Sequence, residues 1–483
     1  MTAASLNQTT PPVATPPCGS VRGIRRGDAE VFKGIRYATA ERLAPPRPVA
    51  LWDGVLDATV YGAQCHQIPG LLERALGASS LPMAEECLTL NVVTPGCDDG
   101  QRPVLVWIHG GAFVTGTGSM PWYEGSSLST RGDVVVVTIN YRLGAFGFTG
   151  TGNHGLRDQL AALAWVQRNI ASFGGDPGNV TVFGESAGGA SVVALLASQA
   201  AGVTFHRAWA MSPSITQLRD ARRAGEATET LLRAANVEDI AGLAHLSVEH
   251  LLEAQRDVLR NPIGAMTAFS PTADDDVLAG PITVAAAHAA VPLVIGSTRD
   301  EMQLFNAFDR NLAGLTDDGL RARFDRHFGR RTDAAIAAYR HRRPGASPGQ
   351  IMSALQTDET FRVPARRLAE ARVDRGTPTW MYWFTWASPV YGGALGSCHG
   401  LDIPFVFHNL DRPGVAAFTG DPPERTGVAD VFADALIAFA YRGDPGWSAY
   451  GTARRSTLQI GTESFEVDDP ERDLRELWEE VRA

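Results

Sequence analysis

Uninterrupted apolar runs constrain the fold of this 483-residue chain more than any other feature of its sequence. Residues 104–108 and 134–139 consist almost entirely of apolar residues, without the polar alternation of a strand that faces water on one side. Comparable runs lie at residues 180–183 and 291–295, and an aromatic one lies at 380–385. Such runs are typical of strands buried on both faces of a sheet, and helical apolar spacing lies between them, as at residues 156–170. This alternation predicts an α/β fold with a mostly parallel central sheet flanked by helices.

The remaining segments predict one domain with additions. Two segments, near residues 217–260 and 316–375, are rich in Ala, Arg, Leu and Glu and predict helical insertions over one end of the sheet. Neither is bounded by a long Gly-, Pro- or Ser-rich linker, so we expect residues 19–483 to form a single domain. Residues 1–18 are rich in Thr and Pro and predict a disordered N-terminal arm.

Charge and lysine content exclude several classes of function. The chain carries 43 basic and 53 acidic residues, a net charge of −10, and nothing in its sequence suggests the basic face with which a nucleic-acid binder neutralises phosphates. Lys33 is the only lysine, so 42 of the basic residues are arginines. Lys33 does not stand in the Gly-Lys-Ser/Thr context of a phosphate-binding loop, nor in that of a Schiff-base lysine. P-loop and pyridoxal phosphate chemistry are therefore excluded.

Cysteine usage and hydropathy predict neither a metal site nor a membrane segment. The five cysteines form no C-x-x-C pair, so no zinc or redox site is expected. No stretch reaches the roughly 18 consecutive apolar residues of a membrane span. The first residues lack the basic and apolar regions of a secretory leader, and a cytoplasmic location is expected.

The segment Gly184-Glu185-Ser186-Ala187-Gly188 is a candidate for a nucleophilic serine. It directly follows the apolar run at 180–183 and precedes small and apolar residues that predict a buried helix. A serine on such a strand–turn–helix connection needs small residues two before and two after it, because the two backbones come close. The turn exposes the hydroxyl at the sheet edge, near helix N-terminal N–H groups that stabilise negative charge.

A glycine-rich loop follows another predicted strand. His109-Gly110-Gly111-Ala112-Phe113 comes directly after the run at 104–108. Glycines allow such a loop to turn its N–H groups inward, toward the oxyanion that forms when a serine attacks a carbonyl carbon. We therefore expect the backbone N–H groups of Gly110, Gly111 and Ala187 to form an oxyanion hole.

These two motifs belong to a longer pattern. From about residue 19 to residue 461 the chain resembles the type-B carboxylesterase/cholinesterase family of α/β-hydrolases, and its bacterial para-nitrobenzyl-esterase-like branch in particular. The resemblance is carried by residues 32–38, 86–91, 140–144 and 152–159, and above all by 173–189, which reads FGGDPGNVTVFGESAGG. It implies an α/β-hydrolase fold with helical insertions over the catalytic end. It also implies a carboxylesterase that acts on a small-molecule ester without a cofactor or metal.

A serine nucleophile needs a base to accept its proton and a carboxylate to orient that base. In α/β-hydrolases the acid and then the histidine follow the serine along the chain. His399 lies in a glycine-bracketed loop after the predicted strand 380–385, and by resemblance it matches the family's catalytic histidine. His408 is the alternative, and its position directly after Phe407 favours a structural role.

The acid is expected in the loop after the predicted strand 291–295. Asp300 and Glu301 are adjacent there, so spacing alone leaves both open. The resemblance implies that the acid is Glu301, and Asp300 remains the alternative. The family usually has Glu three residues after the histidine, whereas this chain has Asp402, which shortens one contact behind the histidine.

Cys65 and Cys87 match the positions of the family's first disulfide, which secreted members form. Because no secretory leader is predicted, we expect this pair to remain as reduced thiols that lie close together. The pair therefore does not change the expected location of the protein.

Ser186, His399 and Glu301 together predict ester hydrolysis through an acyl-enzyme intermediate. A carbamate or amide hydrolase, or an acyltransferase, would use the same residues, because pocket shape and water access make the difference. A non-catalytic binding module of this fold is disfavoured because all three residues are intact. These motifs specify neither the natural ester nor the oligomeric state.

Overall fold

The computed structural model describes residues 10–70, 81–260, 267–274, 276–278 and 280–481. Within these residues the strands, numbered in chain order, are β1 Val13–Ala14, β2 Ser20–Arg22, β3 Ile24–Arg26, β4 Ala29–Arg36, β5 Ala38–Thr39, β6 Arg47–Pro48, β7 Val55–Asp57, β8 Thr89–Thr94, β9 Arg102–Ile108, β10 Val135–Ile139, β11 Gly175–Glu185, β12 Arg207–Met211, β13 Leu293–Thr298, β14 Thr379–Phe384, β15 Ser456–Ile460 and β16 Phe465–Asp468.

The helices alternate with these strands and cluster in two places. They are α1 Ser126–Gly132, α2 Gly144–Gly147, α3 His154–Asn169, α4 Ala187–Leu196, α5 Ala221–Ala235, α6 Ile240–Ala244, α7 Val248–Arg260, α8 Ile282–His288, α9 Gln303–Asn306, α10 Arg310–Ala313, α11 Asp317–Phe328, α12 Thr332–Arg342, α13 Pro348–Thr357, α14 Val363–Val373, α15 Ile403–Val406, α16 Ala416–Thr419, α17 Arg425–Arg442 and α18 Arg472–Glu479. A π-helical turn, Asp358–Arg362, joins α13 to α14.

Eleven of the described strands form one twisted sheet in the order β16-β15-β14-β13-β12-β11-β9-β10-β8-β4-β3. The strands from β15 to β10 in this order pair in parallel, and antiparallel strands flank them on both sides. The prediction of a mostly parallel sheet flanked by helices is therefore confirmed. This topology matters for function because parallel strands bring their carboxyl ends to one edge, where ligand sites form.

The apolar runs are buried on both faces of the sheet, as their sequence predicts. Along β9, Val104 and Val106 pack into one hydrophobic cluster, while Leu105 and Trp107 pack into a second cluster on the other face. All four side chains are fully buried. Removing that much apolar surface from water is the main stabilising contribution to the central sheet.

The two segments with helical composition do contain helices. Residues 217–260 hold α5, α6 and α7, and residues 316–375 hold α11 to α14 with the π-helical turn. N-terminal caps define several of these helices: the side chains of Asp220, Thr316 and Ser347 each accept a hydrogen bond from a first-turn amide. A third hydrophobic cluster joins α11, α12 and α13 to the C-terminal helix α18, through Leu474, Leu477 and Trp478.

The expectation of a disordered N-terminal arm is wrong for residues 10–18, and residues 1–9 lie outside the described part of the chain. Strand β1 pairs with β2, and Cys18 is buried. The amide of Cys18 donates a hydrogen bond to Asn169 Oδ1 at 3.3 Å. Thr- and Pro-rich composition predicts weak local order, but contacts with α3 and β2 supply the order that the segment itself lacks.

Cys65 and Cys87 are both buried and unoxidised. The hydrogen bond between their side chains, together with burial, holds the pKa of the Cys87 thiol well above its ordinary value. The amide of Leu143 donates a hydrogen bond to Cys65 Sγ at 3.3 Å. In the described part of the chain, no helix is both long enough and apolar enough to cross a membrane.

Candidate active site

Ser186 lies at a sharp turn between β11 and α4, at the carboxyl edge of the sheet. Its backbone has φ 58° and ψ −118°, a region that residues other than glycine rarely adopt. Its amide donates a hydrogen bond to the carbonyl oxygen of Met211 on the neighbouring strand, at 3.0 Å. A Cβ atom at Gly188 would lie 2.0 Å from the carbonyl oxygen of Ile108. The glycine at this position is therefore a steric requirement of the turn, as the motif predicts.

The glycine-rich loop after β9 packs directly against this turn. A Cβ atom on Gly110 would lie 3.1 Å from the Cβ of Ser186. Gly111 has φ +111°, and the two following residues also have positive φ values. Within the described residues, the amides of Gly110, Gly111 and Ala187 donate no hydrogen bond. Gly110 therefore lies against the serine turn, and the role of the three amides in stabilising an oxyanion stays a prediction.

His399 and Glu301 are in direct contact. His399 Nδ1 lies 2.5 Å from Glu301 Oε2, and the amide of His399 donates a hydrogen bond to the Glu301 carbonyl oxygen at 3.2 Å. The other carboxylate oxygen, Oε1, accepts a hydrogen bond from the amide of Thr298 at 2.8 Å. Glu301 is fully buried and His399 is 5% exposed. A carboxylate fixed in this way orients the imidazole with Nε2 directed away from it.

The two alternatives from the sequence lie elsewhere. Asp300 Oδ2 accepts a hydrogen bond from the amide of Ser397 at 3.0 Å and pairs with Arg299, so its side chain does not reach His399. His408 Nε2 lies 2.9 Å from Asp430 Oδ1 on helix α17. The spacing of adjacent carboxylates leaves Asp300 and Glu301 open, and in the structure Glu301 is the one of the two that contacts His399.

Glu185, which the sequence indicates only as part of the serine motif, faces the imidazole. Its Oε1 lies 3.1 Å from His399 Nε2, but the two atoms are not aligned for a hydrogen bond. Asp402 lies in the same buried group, where the hydroxyl of Tyr382 donates to its Oδ2 at 3.2 Å. A charged residue two positions after the apolar run 180–183, at the buried end of β11, was the available signal for Glu185.

This crowding of carboxyl groups changes the pKa values of the site. Burial raises the pKa of Glu185 to about 7, against the opposing effect of His399. Burial alone would lower the pKa of His399, but the carboxylates of Glu185 and Glu301 outweigh it and raise the pKa to about 9. Burial also holds the pKa of Asp402 well above its ordinary value, with Glu185 and Glu301 adding to the effect. The site therefore stabilises a protonated imidazole.

Among the described residues, no group of three or more His, Cys, Asp or Glu side chains is arranged to hold a metal ion. His399 Nε2 lies 3.1 Å from the carboxylate of Glu185, the residue before Ser186, and among the described residues His399 and Ser186 share no hydrogen bond. An imidazole with a buried carboxylate on its other nitrogen is the pair of groups used in general acid–base catalysis.

The sheet order, the strained serine turn after β11 and the histidine loop after β14 together define an α/β-hydrolase. The chain belongs to the carboxylesterase family, whose sequence profile matches residues 10–475. It is therefore a carboxylic ester hydrolase.

Individual relatives are similar to this chain in sequence along nearly its whole length. It is 37% identical to the para-nitrobenzyl esterase of Bacillus subtilis, over 96% of this chain and 98% of the relative. It is 35% identical to the phenmedipham hydrolase of Pseudarthrobacter oxydans, over 95% and 97% of the two chains. A solved carboxylesterase of Geobacillus stearothermophilus superposes with a TM-score of 0.86 at 38% identity, over 96% of this chain and 99% of that chain.

Proposed function

We propose that this protein is a serine carboxylesterase that hydrolyses small-molecule esters through an acyl-enzyme intermediate. In this proposal Ser186 is the nucleophile, His399 the general base and Glu301 the acid that orients it. The single observation that carries the proposal is the 2.5 Å contact between His399 Nδ1 and Glu301 Oε2, and the strained turn at Ser186 supports it. A buried carboxylate on Nδ1 keeps that nitrogen protonated and leaves Nε2 free to accept the serine proton.

The first half of the reaction forms the acyl-enzyme. Ser186 Oγ attacks the carbonyl carbon of the ester while His399 Nε2 accepts its proton. The amides of Gly110, Gly111 and Ala187 donate hydrogen bonds to the oxyanion, which carries the charge of the tetrahedral intermediate. When this intermediate collapses, the C–O bond to the alcohol breaks, and His399 returns the proton to the leaving oxygen.

The second half releases the acid. A water molecule gives its proton to His399 as its oxygen attacks the acyl carbon, and the second tetrahedral intermediate expels Ser186 with that proton. Each turnover consumes one ester and one water and yields one acid and one alcohol. An added alcohol in place of water would give acyl transfer, so the ratio of acid to new ester measures the preference of the site.

The test is the variant Ser186→Ala, assayed on a para-nitrobenzyl ester, a substrate suggested by the name of the Bacillus subtilis relative. Loss of the nucleophile should lower kcat by about 10⁶-fold, as removal of such a serine does elsewhere. Ser448→Ala, at an exposed position in the loop before β15, is the matched control and should keep full activity.

A fluorophosphonate probe supplies an independent readout. It should label the wild-type protein once, at Ser186, and should leave Ser186→Ala unlabelled. A Ser186→Ala variant that keeps a tenth of the wild-type kcat, or labelling at another serine, would contradict the assignment.

A further inference from the structure

A proline forces an unusual turn into the helical insertion nearest to the site. Residues 348–373 run as a nearly continuous helix in which Pro364 has no N–H group for the carbonyl oxygen four residues earlier. The chain responds with the π-helical turn Asp358–Arg362, in which the amide of Val363 donates to the carbonyl oxygen of Asp358, five residues back. Such turns are rare and often occur at functional sites.

The extra residue in this turn brings an aromatic ring onto the imidazole. The ring centroids of Phe361 and His399 lie 4.7 Å apart at an interplanar angle of 38°, and Phe361 is 2% exposed. Phe305 packs on the same imidazole from helix α9, at 5.6 Å, and is half exposed. Of the two described rings that contact His399, Phe361 is therefore the buried one.

The same helix also holds the acid loop. Thr357, the last residue of α13, accepts a hydrogen bond at Oγ1 from the amide of Met302, at 3.1 Å. Met302 directly follows Glu301. One short helical segment thus contacts both the loop that carries Glu301 and the ring of His399.

Contacts on its far side fix the turn in place. The Tyr339 hydroxyl donates a hydrogen bond to Asp358 Oδ2, and Trp478 Nε1 donates to the Tyr339 hydroxyl at 2.8 Å. Arg362 pairs with Glu471 and donates a hydrogen bond to the carbonyl oxygen of residue 470 at 3.0 Å. Residues 470–478 of the C-terminal segment therefore hold the turn on the side opposite to His399.

We propose that the π-helical turn 358–362 positions the base: Phe361 sets the orientation of the His399 ring and keeps water from its face. This inference rests on the proposed function, because it concerns the same base. Phe361 does not itself exchange a proton and is a positioning residue. Its effect is on kcat, because a small displacement of a reacting group lowers the rate far more than it lowers binding.

The electrostatic surroundings of His399 give the expected direction of a pH effect. Glu301 faces Nδ1, Glu185 faces Nε2, and Asp402 lies on the turn that follows. The charged groups of the π-helical turn itself are engaged elsewhere: Asp358 by Tyr339, Arg362 by Glu471 and Glu359 by Arg323 and His327. Removing the Phe361 ring would therefore change mainly the hydration of the imidazole, and hydration favours its protonated form.

The experiment compares Phe361→Leu and Phe361→Ala with Phe328→Leu on para-nitrophenyl acetate, a substrate with a minimal acyl group. Phe328 lies in the same insertion and packs on Trp478, so it matches the loss of a buried ring without contact to His399. We expect Phe361→Leu to lower kcat by about tenfold and Phe361→Ala by about 100-fold, with KM changed by less than about threefold.

The pH profile separates positioning from simple loss of stability. The acid limb of kcat/KM should move to higher pH in both Phe361 variants and stay unchanged in Phe328→Leu. Phe361→Leu keeps most of the buried volume, so the comparison stands even where Phe361→Ala fails to fold. An unshifted acid limb in Phe361→Leu, or a loss confined to KM, would overturn the inference while leaving the proposed function intact. A wild-type activity that does not depend on Ser186 would instead overturn the proposed function.

Discussion

At the scale of single residues, three buried carboxyl groups surround one imidazole. Glu301 accepts a hydrogen bond from the Thr298 amide and contacts His399, whereas Glu185 Oε1 and Asp402 Oδ1 are buried and have no hydrogen-bond partner within the part of the chain that the structure describes. Burying an ionised carboxyl group whose oxygen has no hydrogen-bond partner costs free energy. The raised pKa values of Glu185 and Asp402 reduce this cost, because the two groups stay neutral up to a higher pH. Asp402 stands where the resemblance implies a Glu, and its second oxygen, Oδ2, accepts a hydrogen bond from the Tyr382 hydroxyl.

The roles of the two adjacent carboxylates can be separated by a pair of isosteric variants. Glu301→Gln keeps the size of the side chain but cannot stabilise an imidazolium, so kcat should fall by about 10⁴-fold, by analogy with an Asp-to-Asn change in a serine protease triad. Asp300→Asn is the matched control and should cost little, because its side chain faces Ser397. Both kcat values should be measured on one activated ester, with melting temperatures to show that each variant is folded. If Asp300→Asn lost most of its kcat and Glu301→Gln kept it, the acid would be Asp300.

The pH dependence of the rate should depend on Glu185. Because His399 must be neutral to accept a proton, its raised pKa of about 9 predicts a rate that still rises with pH above 7. Sequence alone would place this limb near pH 6–7, the ordinary range for histidine. Glu185→Gln removes one of the three carboxylates that raise the pKa of His399, so the limb of kcat/KM should move down by about one unit. A limb that stays in place in Glu185→Gln would show that the pKa of His399 does not depend on this carboxylate.

At the scale of elements, each of the five predicted apolar runs overlaps a strand of the sheet, and the ends of these strands were the least predictable part. The predicted run 134–139 is strand β10, Val135–Ile139, whereas 291–295 became β13, Leu293–Thr298. The strand begins after Pro292 because proline has no N–H group to donate to a neighbouring strand. It extends past residue 295 because its polar end is buried in the sheet, and an apolar pattern does not predict a strand of polar residues. The polar end is the part that leads to the acid loop.

The helical insertion shows a different limit of sequence reasoning. Its composition predicts helices, and helices α11 to α14 occupy it. The π-helical turn and the packing of Phe361 on His399 were not predicted, because they depend on contacts with residues distant in the chain. Pro364 was the available local signal, since proline inside a helical run requires a kink, a break or a wider turn.

At the scale of the whole molecule, one buried ion pair joins three parts of the chain. Arg142, after β10, makes a two-fold contact with Asp158 on α3, at 2.7 and 2.8 Å. It also donates a hydrogen bond to the carbonyl oxygen of Ala44 at 2.7 Å. Both charged side chains are almost fully buried. The pair therefore fixes the N-terminal loops against the sheet and helix that precede the serine turn.

Breaking this pair should destabilise the whole protein. Asp158→Asn leaves the Arg142 guanidinium buried without a counter-charge, which costs about 3–5 kcal/mol and should lower the midpoint of urea unfolding. Asp468→Asn, which breaks an exposed pair with Arg454, is the matched control and should leave the midpoint unchanged. Below the unfolding range Asp158→Asn should keep its kcat, because neither residue contacts the site. Equal unfolding midpoints for the two variants would show that the buried pair stabilises the protein no more than the exposed pair does.

The sequence by itself determined the α/β class, the family and the serine turn with its glycine loop. Buried apolar runs and glycines at fixed offsets depend on interactions within about twenty residues, so the local sequence is enough to predict them. Only the tertiary structure brought Glu301 rather than Asp300 to His399 and placed Glu185 and Phe361 around the imidazole. These choices are set by loops and helices that approach one another across the sheet edge. Side-chain direction and pKa there depend on burial and on charges far away in the sequence.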